Sequence, residues 1–230
     1  MRFNIFLFLV IVGVSCTSKQ MQSIPQVEHE LVDKPVVLDA KLVKNGKKVF
    51  KKKCASCHGQ EGVGITGMGA RLNSPDFLGL ADDEFILKTI ENGRPGTTMA
   101  SYKKARRVKK HIPSLVAYIR SWQNDYEVFK KYKVDKTIVL KGNVEHGKKG
   151  YQTYCLYCHG PIGEGFSYGG PGTGIGLSGF LDVASDDYIK KTIQVGRAGT
   201  AMKPFGHGRG LARLNETEID DIVVYLRSLK

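Results

Sequence analysis

The sequence predicts an all-α chain made of two tandem copies of one module, each with about three main helices. Three observations carry that prediction. No stretch alternates polar and apolar residues over a useful length, so strands are not expected. Phe85, Ile86, Thr89 and Ile90 keep helical spacing instead. The later part of the chain also repeats the earlier part. Val43 to Phe50 (VKNGKKVF) corresponds to Val144 to Tyr151 (VEHGKKGY), and Asp83 to Ile90 corresponds to Asp186 to Ile193. Gly93 to Met99 matches Gly196 to Met202, and Val116 to Ser121 matches Val223 to Ser228. The offset grows from 101 to 103 to 107, which places the insertions in loops.

Taken in order, the chain opens with Arg2 and an apolar run from Phe3 to Val14. That run is shorter than the ~20 residues a bilayer span takes, and it reads as an export signal. Val12-Gly13-Val14-Ser15-Cys16 resembles a bacterial lipobox, with Gly13 where Leu is usual. Residues 1–15 are therefore expected to be a lipoprotein-type signal peptide, with Cys16 the lipidated residue and 16–41 a tether. The modules are expected at 42–122 and 143–230, joined by a linker at 123–142 in which Tyr126, Phe129 and Tyr132 keep some helical spacing.

Within each module the first helix is expected from about Leu42 to Lys53, or its repeat, and ends at a cysteine pair. Gly46 and Phe50, like Gly147 and Tyr151, fall four residues apart on one face, where a glycine admits another helix closely. The second helix begins near Asp82 or Asp186, acidic residues suited to an N-terminus, and stops at Gly93 or Gly196. The third runs from about Pro113 to Trp122 and from about Glu216 to Leu229, with Asn215 and Glu218 placed as a capping box. In the first module the basic run Lys103 to Lys110 replaces that entry.

Cys54-Ala55-Ser56-Cys57-His58 and Cys155-Leu156-Tyr157-Cys158-His159 carry the chemistry. Cys-x-x-Cys-His is the attachment signature of c-type haem: both thiols add to the porphyrin vinyl groups and the histidine becomes an axial ligand. Two haem c groups follow. A shared zinc tetrathiolate would use the same four cysteines, but their spacer is far longer than the usual ~15–20 residues and zinc gives no reason for either histidine. A thioredoxin-like motif expects one pair beside a βαβ unit. Met99 and Met202, 41 and 43 residues beyond His58 and His159, occupy matching places on Gly-rich loops and suit the second axial position. Met68, His207 and His111 are rivals for it, whereas His29 and His146 lie outside the expected pockets.

The formal charge is +13. Residues 42–122 hold 16 Lys/Arg against 6 Asp/Glu, whereas residues 143–230 hold 10 against 9. A basic chain often binds nucleic acid, but an exported haem protein argues against that partner. The first module instead presents a basic face to an acidic redox partner.

Together these residues resemble a dihaem member of the class I cytochrome c family over roughly Leu42 to Lys230. The resemblance rests on both Cys-x-x-Cys-His-Gly motifs, the Gly/aromatic pairs, Met99 and Met202 on their loops, and Tyr118 and Tyr225 on the last helices. The loop Thr200 to Gly206 is similar both to cytochrome subunits of haem-copper oxidases and to soluble dihaem carriers. The resemblance implies that the first and last helices cross at the Gly/aromatic pair. It further implies a carrier relaying single electrons between respiratory proteins, in the periplasm or on the cell-envelope exterior and tethered to a membrane by lipid. The alternative is a dihaem enzyme, peroxidase-like or thiosulfate-oxidising, which needs a labile or unusual axial ligand.

Overall fold

The computed structural model describes residues 38–123, 132–206 and 212–230, which belong to one compact unit. The expectations placed on Cys16, His29, Tyr126, Phe129 and His207 lie outside the described residues. Among the described residues there is no strand, only an isolated bridge between Ile65 and Gly69. No helix among them is long and apolar enough to cross a membrane.

The first half contains α1 (Ala40–Lys53), α2 (Ala55–His58), α3 (Pro75–Leu80), α4 (Asp83–Asn92), α5 (Arg106–Lys109) and α6 (Ile112–Arg120). The second contains α7 (Val144–Tyr154), α8 (Leu156–His159), α9 (Ser178–Leu181), α10 (Asp186–Val195) and α11 (Glu216–Ser228). The long helices are those the sequence predicts, and the single-turn helices are additional. Four to six residues are too few to show a period. α1 begins at Ala40, inside the expected tether, because the Asp39 carboxylate accepts from the N–H groups of Lys41 and Leu42. α6 begins at Ile112 with no side-chain cap, after the short α5 has taken up part of the basic run.

α1 packs on α6, and α7 packs on α11 in the same way. A Cβ at Gly46 would lie 1.9 Å from the Ser114 carbonyl oxygen, and one at Gly147 would lie 1.9 Å from that of Asp221. At each crossing backbone meets backbone, so no larger residue fits. Aromatic rings seal both crossings. Phe50 meets Tyr118 at 5.5 Å and Trp122 at 5.3 Å, while Tyr151 meets Tyr225 at 5.3 Å.

An arginine at the end of each last helix then fixes the N-terminus of the middle helix. Arg120 Nε donates to Asp83 at 2.5 Å, and its terminal nitrogens donate to the carbonyls of Leu78 and Ala81. Arg227 does the same to Asp186, Leu181 and Ala184 at 2.5–2.6 Å. Both middle helices begin where expected: Asp82 caps α4, whereas α10 is capped by Ser185, the residue before the expected Asp186. The described part of the linker is packed against both halves. Tyr132 donates to Asp76, Lys136 pairs with Asp82 and Glu84, and the N–H groups of Asp135 and Leu140 donate to Asp187 and Asp186.

Candidate functional site

Each cysteine pair lies on one tight turn that leaves the preceding helix. The Cys54 N–H closes α1 on Phe50, and the N–H groups of Cys57 and His58 then bond back to the Cys54 carbonyl at 3.1 and 2.9 Å. Cys158 and His159 bond to the Cys155 carbonyl at 3.2 and 2.9 Å. Residues three and four apart on such a turn share a side, so two thiols and an imidazole are presented together. All four thiols are free and partly exposed. Burial, then the neighbouring Cys57, pushes the Cys54 thiol up to about 11. Burial, then Cys158, pushes Cys155 up to about 12. These are protonated sulfurs at neutral pH, unlike the low-pKa thiolate of a disulfide-exchange motif. Among the described residues no three His, Cys, Asp or Glu side chains gather around a common point.

The histidines are oriented identically. His58 Nδ1 lies 2.8 Å from the Ala70 carbonyl, and His159 Nδ1 lies 2.8 Å from that of Thr173. A carbonyl only accepts, so Nδ1 carries the proton and the Nε2 lone pair is left for a metal. Burial holds both imidazoles below their ordinary pKa, more strongly than the carbonyl bond raises it. They are neutral at pH 7, as a ligand must be.

The methionine loops are the second repeated construction. Gly93 and Gly196 end α4 and α10 with φ of 67° and 70°. A Cβ on either would lie 2.6 Å from the carbonyl oxygen of Met99 or Met202, so the loop folds directly over the helix end. The N–H of Arg94 donates to the Met99 carbonyl at 2.9 Å, and that of Arg197 donates to Met202 at 2.8 Å. The Thr97 and Thr200 hydroxyls accept from the methionine N–H groups and donate to the Arg94 and Arg197 carbonyls. Both methionines are half-buried.

Three residues beyond each methionine an aromatic side chain returns to the cysteine turn. The Tyr102 hydroxyl reaches the carbonyl of Lys53, next to Cys54, at 3.4 Å. Phe205 meets the ring of Tyr154, next to Cys155, at 6.2 Å. Each methionine loop is thereby anchored to its own thiol turn. Of the rival ligands, Met68 is 50% exposed and has no matching methionine in the second half, and His111 sits at the N-terminus of α6. His146 is exposed 3.7 Å from Asp221.

A porphyrin fits this donor set: paired free thiols, an imidazole with Nε2 free and a thioether loop, all twice. Arg197 Nη1 is also buried without a protein partner, as expected where an anionic group belongs. Sequence reasoning passed over several contributors. The Ala70 and Thr173 carbonyls are backbone groups and leave no side-chain signal. Arg94, Arg197, Arg120 and Arg227 stand in the aligned repeats, where their recurrence was the available clue.

A model of the family described as cytochrome c oxidase, cbb3-type, subunit III matches residues 41–119 and 142–226. Over 207 residues the chain is 30% identical to the cbb3-type cytochrome c oxidase subunit FixP of Bradyrhizobium diazoefficiens, covering 86% of this chain and 64% of that protein. It is 26% identical over 207 residues to the cbb3-type cytochrome c oxidase subunit CcoP of Azospirillum sp. strain B510, covering 80% and 61%. The chain thus spans a little under two thirds of the length of these curated relatives. Among solved structures it resembles a reducing HAO-like protein complex of Kuenenia stuttgartiensis, with 23% identity, coverage of 81% and 96%, and a TM-score of 0.44.

Proposed function

The chain belongs to the cbb3-type cytochrome c oxidase subunit III family, and from that premise we propose that it is an exported dihaem cytochrome relaying single electrons to or within a respiratory oxidase. Its cofactors are two covalently attached haem c groups. We assign Cys54 and Cys57 to one haem and Cys155 and Cys158 to the other. These cysteines would hold each haem through thioether bonds, formed by adding S–H across a vinyl group with no net oxidation. A bound haem supplies an iron that takes up and releases one electron.

The protein's own residues then set orientation and exclude reaction. His58 and His159 hold Nε2 toward the metal, their rotation stopped by the Ala70 and Thr173 carbonyls. Met99 and Met202 would hold the same irons as second ligands, where a soft neutral thioether would favour ferrous iron and raise the potential. A metal held by both residues would have no position for substrate. The two methionine loops share the same hydrogen bonds, which supports two carriers over a peroxidase-like or thiosulfate-oxidising enzyme with one labile ligand.

An acidic redox partner is proposed at the first half. Lys41, Lys44, Lys47, Lys48 and Lys51 to Lys53 are all exposed on α1. The Tyr102–Lys53 contact brings them beside exposed Lys103, Lys104, Arg106 and Arg107. The matching stretch before the second pair, Tyr151 to Tyr154, has no cation. Membrane attachment is proposed through a lipid on Cys16.

The single observation behind this reading is the twice-built turn that offers two free thiols beside an imidazole bonded through Nδ1. Intact-mass measurement of the exported protein tests it. The expected mass exceeds the polypeptide and lipid by two haems, falling by one haem in Cys54→Ala/Cys57→Ala and by the other in Cys155→Ala/Cys158→Ala. A wild-type mass with no haem would end the proposal.

A further inference from the structure

The two halves meet through the same residues taken from each copy. Phe85 and Tyr188, which occupy matching positions, stack at 4.5 Å. α9 packs on α4, and α3 packs reciprocally on α10. The methionine loops lie in this seam. Arg94 Nη1 donates to the Gly179 carbonyl of the opposite half at 2.7 Å, and its guanidinium lies 5.1 Å from the Phe180 ring centre. Arg197, its counterpart, lies 5.2 Å from Phe77 of the opposite half, and the neighbouring Ala198 N–H donates to Asp76 at 2.6 Å. Among the described residues neither arginine pairs with a carboxylate. Burial alone lowers Arg94 to about 10, against a small opposing effect of Tyr188.

Each methionine loop also touches the segment that fixes the other half's histidine. Arg71 follows Ala70, whose carbonyl holds His58, and Arg71 Nη1 reaches the carbonyl of Gly199 in the Met202 loop at 3.4 Å. Ser167 donates to Gly96 in the Met99 loop at 3.0 Å. A Cβ on Gly174, next to the Thr173 that holds His159, would lie 3.4 Å from Thr97 of the same loop.

We propose that Arg94 and Arg197 are positioning residues that lock each methionine loop onto the opposite half, so that the two iron centres respond as one coupled unit. This rests on the ligand assignment made above. Each arginine is tied into its own loop by its backbone N–H, while its guanidinium is shared between its own middle helix and the other half's packing. Loosening one loop therefore disturbs α9 or α3 and, through them, the segment that orients the opposite histidine.

The test uses full-length holoprotein and reads each arginine at the opposite centre. With Met99→His present, the remaining far-red methionine–iron band belongs to the second haem, and Arg94→Gln is added. With Met202→His present, the band belongs to the first, and Arg197→Gln is added. The expected result is a weaker band and at least a threefold change in the oxidation–reduction equilibrium of the opposite centre, tenfold being about 59 mV for one electron. Arg94→Lys should restore the centre only in part, because it keeps the charge and loses the planar stack. Unchanged opposite centres, or full restoration by lysine, overturn the proposal. If an arginine variant loses haem, Phe180→Leu and Phe77→Leu thin the stack without removing a guanidinium, and the same readings apply. If Met99→His leaves the wild-type band intact, the ligand assignment fails. The potentials of the two centres, resolved by titration in Arg94→Gln and Arg197→Gln alone, still decide the coupling.

Discussion

Replacing Gly147 with alanine should separate the α7–α11 crossing, although the chemical change is one methyl group. Ordinary carbon–oxygen contact begins near 3.4 Å, and the new Cβ would sit 1.9 Å from the Asp221 carbonyl oxygen and 2.9 Å from Tyr225 Cβ. Neither obstacle is the end of a flexible side chain, so the helices must move apart by roughly 1.5 Å. That opens a crossing in which Tyr151, Ile219, Ile222 and Val223 are 0–1% exposed. Overpacking of this kind costs about 3 kcal/mol, the upper end of its usual range. Alanine's better helix propensity returns about 1 kcal/mol. A net loss of about 2 kcal/mol lowers the melting temperature of a body this size by about 4–8 °C. Gly150→Ala, whose Cβ would meet only Ile222 side-chain atoms at 3.1 and 3.2 Å, should shift it much less. Thermal unfolding of the full-length holoprotein, followed by far-UV circular dichroism, checks both. A Gly147→Ala protein melting within 1 °C of wild type, or Gly150→Ala melting as low, would refute the backbone-contact reasoning.

Arg227→Gln strands Asp186 and the carbonyls of Leu181 and Ala184, so urea unfolding should show a loss of about 3 kcal/mol; a loss below 1 kcal/mol would contradict it. Lys51→Glu/Lys52→Glu/Lys53→Glu should slow reduction by an acidic donor at least tenfold at low salt and flatten its ionic-strength dependence, measured by stopped-flow; an unchanged rate would move the docking face elsewhere. Hydrogen bonds from Lys136 and then Lys88 hold Glu84 at about 2, below its ordinary 4.5. A depressed carboxylate stabilises the fold above its unfolded pKa, and that contribution fades as pH falls from about 4.5 to 2. The melting-temperature gap between wild type and Glu84→Gln should therefore be present at pH 6 and gone at pH 2. Glu84 is half exposed and screened, so the gap corresponds to under about 1 kcal/mol.

The long helices were legible because each carries its own instructions: Gly46 with Phe50 marks a crossing, Asp82 and Asn215 mark starts, and Gly93 marks a stop. The Asn215–Glu218 capping box forms as its residues demand. α2 and α8 were not legible, since one turn has no period and the cysteines there are chosen for chemistry. The seam was hidden for a different reason. Arg94 donates across 85 residues to Gly179, and Ala198 across 122 to Asp76, and no local pattern announces partners that distant. The linker's role was only partly readable: Tyr132 reached Asp76, but Lys136 binding Asp82 and Glu84 depends on where α4 begins.

The reciprocal seam bears on descent. A contact in which both copies present the same patch is what a twofold homodimer makes, so a one-module ancestor could have used it before the genes fused. In such an ancestor every surface substitution appears on both subunits at once. Fusion lifts that constraint, and Lys51 to Lys53 can gather on one copy while the other stays near neutral around the unchanged contact. The duplicated chain thereby acquires an asymmetric exterior on a symmetric frame.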